Sequence, residues 1–395
     1  MSAYPKDRAL DRMARLARRH QDLATFWQES SAVIDAGVPN YQGPCWFTLD
    51  PASLLVTSHF NPYMPQLPAE WGALEYYEDD VNKLADVARS TRGISTLHEA
   101  TGGDPTTSPR WHRHVAYGAD QEMVASLRTR TGEVWGALSI YRENRGPFFD
   151  SDELRFIQAV APHLAAGARR ALLVGQALDP EGSDAPGLIV LCEKWQVESA
   201  TRGVERWLSD LPDGDWDAGK LPSSVLSVAG RALRTAENPD GPGGVAVARV
   251  MSRSGRWVVL HGTCLVSAVS RRVAVIIEPA HPARISSLLM SAYGLTEREQ
   301  EVTKLVLQGS STSQIADALV VSPHTVQQHL KSIFDKTGVR SRRDLVGKVF
   351  FAHYEPRLRD NERRAIQGQP LRGEPLEGEA VTDALAESHR RPSRL

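Results

Sequence analysis

Apolar positions recur along this chain with two different periods, and the alternation between them outlines its architecture. Leu10, Met13, Leu16, Ala17, Leu23, Ala24 and Trp27 fall at helical steps, predicting one helix over 8–30. Leu154, Ile157, Val160, Ala161, Leu164 and Ala168 predict a second helix over 151–174. Its opening Ser151-Asp152-Glu153 sets acids at the positive end of the helix dipole. Between these helices, runs at 45–49, 54–60, 123–130 and 134–142 are rich in strand-forming residues. Thr131-Gly132-Glu133 joins the last two as a hairpin. The pattern predicts an α+β domain over 1–178.

A second α+β domain is predicted over 186–280. Short strands at 188–191 and 196–200 precede helices around 202–208 and 224–236. Three β-branched runs follow, at 245–250, 256–262 and 273–279. The turn-forming stretch 179–186 and the proline pair at 279–283 mark its borders, and Gly241-Pro242-Gly243-Gly244 reads as a turn.

Residues 290–354 read as an all-α domain of four helices, each with its own start signal. Thr296 and Glu299 form a capping box, as do Ser311 and Gln314. Ser322 is an N-cap followed by Pro323 at the first helical position. Ser341 with Asp344 opens the fourth helix. On the third helix Val326, Leu330, Ile333 and Phe334 share one side, while His324, Gln328, Lys331 and Asp335 lie opposite and Gln327 flanks them. A short helix, a tight turn and a second helix with a polar outer face form a helix-turn-helix. The tail, 355–395, is rich in Arg, Glu, Pro and Gly with no sustained period, and is expected to be disordered.

Charge sharpens this division. The whole chain has 46 basic and 48 acidic residues, net −2. Residues 1–175 carry 18 basic and 21 acidic side chains, residues 176–292 carry 12 and 13, residues 293–354 carry 8 and 6, and the tail carries 8 and 8. Only the helical domain is positive. A helix entering the DNA major groove puts its N-terminal residues against base edges. There glutamine pairs with adenine and lysine reaches guanine. Gln327, Gln328, Lys331 and His324 are therefore the candidate base contacts, and Ser322, Thr325, Lys336, Arg340, Ser341 and Arg342 the candidate backbone contacts.

The string itself carries a resemblance. Leu295-Thr296-x-Arg298-Glu299-x-Glu301-Val302, Ile315-Ala316-x-x-Leu319, Ser322-x-x-Thr325-Val326-x-x-His329-Leu330-x-x-Ile333 and Lys336-x-Gly338-Val339-x-Ser341-Arg342 resemble the DNA-binding domain of the LuxR family. The resemblance implies base-facing roles at 327, 328 and 331, backbone proximity at 325, 336 and 341, and a dimer contact on the fourth helix around Leu345 and Val349. Many members have a basic residue where this chain has Gln327, so its target sequence cannot be copied from theirs.

The first domain resembles a GAF domain through Gly132-Glu133-x-x-Gly136-Ala137-Leu138-Ser139-Ile140 and Phe149-x-x-x-Glu153-Leu154-x-Phe156-Ile157. The second resembles a PAS domain in element order and length. Such folds sense small molecules and dimerise, but the fold names no ligand. Local aromatic enrichment makes Trp46, Tyr63, Tyr117 and Trp135 the candidate effector contacts, with Trp135 and Tyr141 sharing strand parity. The helices at 8–30 and 151–174 carry wide apolar stripes that a dimer would bury.

Other chemistries lack support. There is no GxxxxGK[ST] phosphate loop, no phospho-receiver pattern and no nucleophile–base arrangement, so neither catalysis nor a cofactor is expected. His112 and His114, read as alternating on one strand face, are more often incidental than metal ligands. Three scattered cysteines, Cys45, Cys192 and Cys264, suit a reducing compartment. The charged N-terminal stretch and the absence of a long apolar run point to a cytoplasmic protein away from membranes. The expected whole is a homodimeric regulator, by family resemblance an activator with RNA polymerase as partner, that binds double-stranded DNA under small-molecule control. The alternative is a constitutive DNA binder whose front domains only dimerise or bind a protein.

Overall fold

A computed structural model describes residues 3–64, 66–174, 186–239, 245–266, 271–280 and 290–346. The expected linker at 179–185, the glycine turn at 241–244, Val349 and the tail lie outside them.

The predicted first helix is two helices, α1 (Ala3–Leu16) and α2 (Leu23–Gly37). The apolar period lapses across Arg18-Arg19-His20, and Asp22 starts α2 afresh by accepting the Thr25 backbone N–H at 3.0 Å. Strands β1 (Cys45–Leu49) and β2 (Val56–Phe60) follow. The second is shorter than predicted, because Leu54 takes a left-handed turn (φ 58°) that closes on Asp50. Next come a π-helical turn (Ala73–Tyr77), α3 (Leu84–Arg89), β3 (Ile94–Thr96), α4 (Leu97–Ala100) and α5 (Pro109–Ala116). The hairpin β4 (Ala119–Arg128) and β5 (Val134–Glu143) leads into α6 (Ser151–Val174).

These strands form one antiparallel sheet in the order β2-β1-β5-β4-β3. Helices α1, α2 and α6 pack on one another and cover one face, where Trp46 stacks on Trp27 (4.7 Å, 9°) among Met13, Leu138 and Ile140. The apolar stripes that suggested a dimer surface are thus satisfied within one chain.

The second domain comprises β6 (Gly187–Leu191), β7 (Val197–Ala200), α7 (Val204–Asp210), α8 (Ser223–Glu237), β8 (Val247–Met251), β9 (Trp257–Val266) and β10 (Arg271–Pro279). Its sheet order, β7-β6-β10-β9-β8, repeats the first sheet's path from strand to strand.

The two domains are not beads on a string. Every residue of α8 from Ser223 to Ala232 is buried, because the helix lies between its own β9 and the first domain's β2 and π-turn. Two glycines permit this closeness: a Cβ on Gly230 would stand 2.3 Å from the Gly72 carbonyl oxygen, and one on Gly72 2.5 Å from that of Leu226. Polar ties reinforce the contact. Asp50 holds Arg249 through both oxygens (2.5 and 3.0 Å), and Ser227 donates to the Val56 carbonyl at 2.8 Å. Asp213 accepts from the His59 backbone at 2.7 Å and from Ser223. A single apolar cluster runs through both sheets.

The last domain contains α9 (Glu297–Leu307), α10 (Thr312–Leu319) and α11 (Pro323–Thr337). Helical residues 342–346 begin a further segment, capped by Ser341 accepting the Asp344 N–H at 3.1 Å. Val302, Ile315, Val326, Leu330, Ile333 and Leu345 make its core. No helix among the described residues is long and apolar enough to cross a membrane.

Candidate nucleic-acid interface and sensor cavity

The helix-turn-helix is built from caps outward. Both predicted boxes form: Thr296 with Glu299, and Ser311 with Gln314. Between α10 and α11 the chain turns through Val320, a β-branched residue at φ 54° and 90% exposed. A side chain in that region is strained by roughly 1–2 kcal/mol, which the surrounding α10–α11 packing holds in place. Ser322 then caps α11 by accepting the Thr325 N–H at 3.1 Å.

With Val326, Leu330 and Ile333 turned inward, His324, Gln327, Gln328 and Lys331 stand exposed on the outer side. Gln328 and His324 hydrogen bond at 3.1 Å, one turn apart. All four candidate base contacts are thus brought together.

The candidate backbone contacts divide. Arg340 is exposed, and Ser322 and Thr325 edge the helix start. Lys336 forms an ion pair with Glu299 at 2.6 Å, and Arg342 donates to the Ser310 carbonyl and Thr312 hydroxyl, both at 2.9 Å. These two bases hold the domain together. Glu299 is the residue that sequence reasoning undervalued. Beyond its cap it accepts from Ser332 at 2.6 Å and from Lys336, joining α9 to α11. Burial would raise its carboxyl, but the Lys336 and Ser332 bonds and the Thr296 N–H outweigh this and hold it below the usual range.

The first domain contains a cavity of about 400 Å³ on the sheet face opposite α1, α2 and α6. Cys45 and Phe47 from β1, Ala119 from β4 and Tyr141 from β5 supply one wall. Asn61, Met64, Leu67 and Trp71 supply another, and Arg113, His114 and Tyr117 close the α5 side. Phe47 and Trp71 stack at 5.7 Å.

Of the four candidate effector residues only Tyr117 lines this cavity, and it is 61% exposed at the mouth. Trp46 points to the helical face, since neighbours on a strand alternate sides. Tyr63 is 71% exposed. Trp135 sits at a β-bulge: Leu127 pairs with Gly136 and Arg128 with Val134, leaving Trp135 without an opposite residue. The bulge breaks the parity expected with Tyr141. Trp135 packs instead against Ala292, Leu172 and Trp257. Aromatic size drew attention to Trp46, whereas the odd-numbered Cys45 and Phe47 face the hollow. The helix-facing Leu138 and Ile140 on the paired strand would have set that parity.

His112 and His114 lie on α5, not a strand, so their spacing parts them. Ser108-Pro109 begins that helix, Pro109 occupying its first turn. His112 is exposed, whereas His114 lines the cavity. Behind it lies a buried ionic network. Arg110 meets Glu75 at 2.7 Å and Glu122 at 3.4 Å; Asn82 and Tyr141 both donate to Glu122, at 2.8 and 3.3 Å. Burial works against charge on Arg110, but Glu122 and Glu75 outweigh it and keep it protonated. Burial pushes the Cys45 thiol up to about 12 and lowers the His114 imidazole, with Glu122 opposing the latter. The cavity floor therefore carries neutral thiol, phenol and imidazole groups at neutral pH.

The last domain reaches this framework through its first turn. Ala292 joins the Trp135 cluster, and at Gly294 (φ 73°) a Cβ would stand 2.9 Å from the Arg169 guanidinium of α6. Strand β5 thus has Tyr141 at the cavity and Trp135 at the helix-turn-helix domain.

Residues 8–167 match the GAF domain family, and residues 293–349 match the bacterial regulatory proteins of the luxR family. Over 55 residues the chain is 48% identical to an HTH-type transcriptional regulator of Mycobacterium bovis, a match spanning 14% of this chain and 6% of that protein. Over 56 residues it is 41% identical to the monoamine regulon transcriptional regulator of Klebsiella aerogenes, spanning 14% of this chain and 25% of the relative. A phycoerythrobilin-bound GAF domain from a cyanobacterial phytochrome aligns at 14% identity and TM-score 0.32, covering 43% of this chain and 97% of that one. The chain thus carries a GAF domain and a luxR-type DNA-binding domain.

Proposed function

We propose that this chain, joining a GAF domain to a luxR-type reader, is a DNA-binding transcription regulator whose output is set by a small molecule in the GAF cavity. The carrying observation is the outer face of α11, where His324, Gln327, Gln328 and Lys331 project together from a correctly capped helix-turn-helix. Glutamine and lysine match adenine and guanine edges in the major groove. Arg340, Ser322, Thr325 and Ser341 flank that face as phosphate contacts, and Lys336 and Arg342 add positive charge beside their structural bonds.

The cavity favours effector control over constitutive binding, since apolar clefts with a few polar groups are typical ligand sites. Strand β5 offers the route from hollow to reader, its two ends touching each. The second domain is assigned as PAS-like on its strand order. The active species is a cytoplasmic homodimer on two half-sites, acting as an activator with RNA polymerase. Its contact lies away from α1, α2 and α6, with the segment after Ser341, where Val346 is 37% exposed, as the candidate.

Lys331→Ala should weaken specific DNA binding by about 1–3 kcal/mol and random DNA less. Equal loss on both would reassign Lys331 to phosphate, and a salt-independent affinity would sink the DNA reading. Genome-wide mapping of bound sites in wild type and Ala119→Phe tests control: occupancy that varies with growth conditions only in wild type supports it. Identical occupancy profiles would favour the constitutive alternative.

A further inference from the structure

The polar groups of the GAF cavity are committed in a way that selects a ligand's head group. Tyr141 spends its hydroxyl proton on Glu122 (3.3 Å), so its oxygen has only lone pairs left for the hollow. Asn61 gives its amide protons to the Cys45 sulfur (3.1 Å) and to loop carbonyls, and its oxygen takes the N–H groups of Tyr63 and Met64 (2.7 and 3.0 Å). His114 is held neutral by burial. Glu122 lies directly behind Tyr141, shared with Arg110 at 3.4 Å, and after burial itself it raises both that phenol and the Cys45 thiol, with Arg110 opposing it at the phenol.

Cations are scarce among the described lining residues. Arg113 is at the α5 side and already faces Glu78 at 3.5 Å, and Arg110 is behind the wall, spent on Glu75 and Glu122. Glu70 adds a further acid to the lining. A carboxylate or phosphate entering this hollow would lose its water, find Arg110 spent and Arg113 already facing Glu78, and approach Glu70 and Glu122. A donor head would find the Tyr141 oxygen waiting, and an apolar body would find Phe47, Trp71, Met64 and Leu67.

We infer that the cavity takes a ring-sized apolar molecule carrying a hydrogen-bond-donor head, an alcohol, phenol, N–H or ammonium, and rejects the matching carboxylate. This rests on the proposed effector role for the cavity and adds the chemistry of the effector.

Calorimetric titration of the full chain with naphthalene-2-methanol, 2-(aminomethyl)naphthalene, 2-naphthoate and naphthalene itself tests it. The two donor-headed probes should bind about tenfold or more tighter than 2-naphthoate. Tyr141→Phe should reduce that preference while leaving naphthalene binding unchanged, and Ala119→Phe should abolish all binding. The inference is overturned by 2-naphthoate binding as tightly as the alcohol, by Tyr141→Phe weakening naphthalene and the alcohol equally, or by no probe binding. In each case effector control stands or falls separately, on the occupancy of Ala119→Phe in cells.

Discussion

Two sheets with the same strand path sit side by side in this protein, and one is roofed over a hollow where the other, among the described residues, carries a closely seated helix. In the first domain the sheet face away from α1, α2 and α6 is roofed by loops, the π-turn and short α5, which leave the 400 Å³ cavity. In the second, α8 lies flat across β9 and β10, and Val225, Leu226, Val228 and Ala229 fill the interior. Strand order therefore does not decide whether a hollow forms against the sheet; the element laid over it does. A continuous helix with small residues seats closely, whereas a roof of short pieces with Trp71, Met64 and His114 bridges a gap.

The contrast can be broken from the solid side first. Gly230→Val would drive a branched side chain into the Gly72 carbonyl, and overpacking of this kind costs about 3 kcal/mol or more when the backbone must move. Denaturant unfolding should show both front domains losing stability together, because α8 belongs to both cores. Separate transitions, with the first domain unaffected, would show the shared core to be nominal.

A smaller effect comes from His59, buried at the same junction beside Phe47 and pushed down to about 3 by burial alone. A base whose folded pKa is depressed leaves the unfolded chain binding more protons below about 6.5, so stability falls with pH across the window from 6.5 to 3. Between pH 6.5 and 5 this one group should remove about 2 kcal/mol. The drop should vanish in His59→Leu, measured as the difference in unfolding free energy between the two proteins at each pH. Asp213 and Glu75, both raised by burial, titrate in the opposite sense but are present in both.

The smallest effect belongs to the hollow. Ala119→Phe adds a ring where space exists, so the stability change should stay under about 1 kcal/mol, while probe binding disappears. A cost like that of Gly230→Val would mean the cavity closes in solution.

The legible parts of this molecule were those written in local chemistry. The capping boxes at Thr296 and Ser311, the N-cap at Ser322 and the 3.6-residue stripe through Val326, Leu330 and Ile333 act over one or two turns, so the sequence displays them directly. The outward residues of α11 follow from the inward ones. The β4–β5 hairpin was equally local. What was not legible depends on partners distant in sequence. Trp135 leaves its parity because of one bulge, and Trp46 faces the helices because of a sheet register. Lys336 turns to Glu299, 37 residues away. The single helix expected over 8–30 was drawn across a gap in the period, where Asp22 had already announced a new start.

The helix α8 also bears on modularity. A cut between residues 174 and 187, the natural place to separate the front domains by composition, would leave the first without the helix that covers β2 and the π-turn. It would also leave the second with a bare glycine-marked flank. Chimaeras that transplant a foreign sensor onto this reader should therefore exchange residues before Met290 as one block. A domain swapped alone would arrive with an open seam.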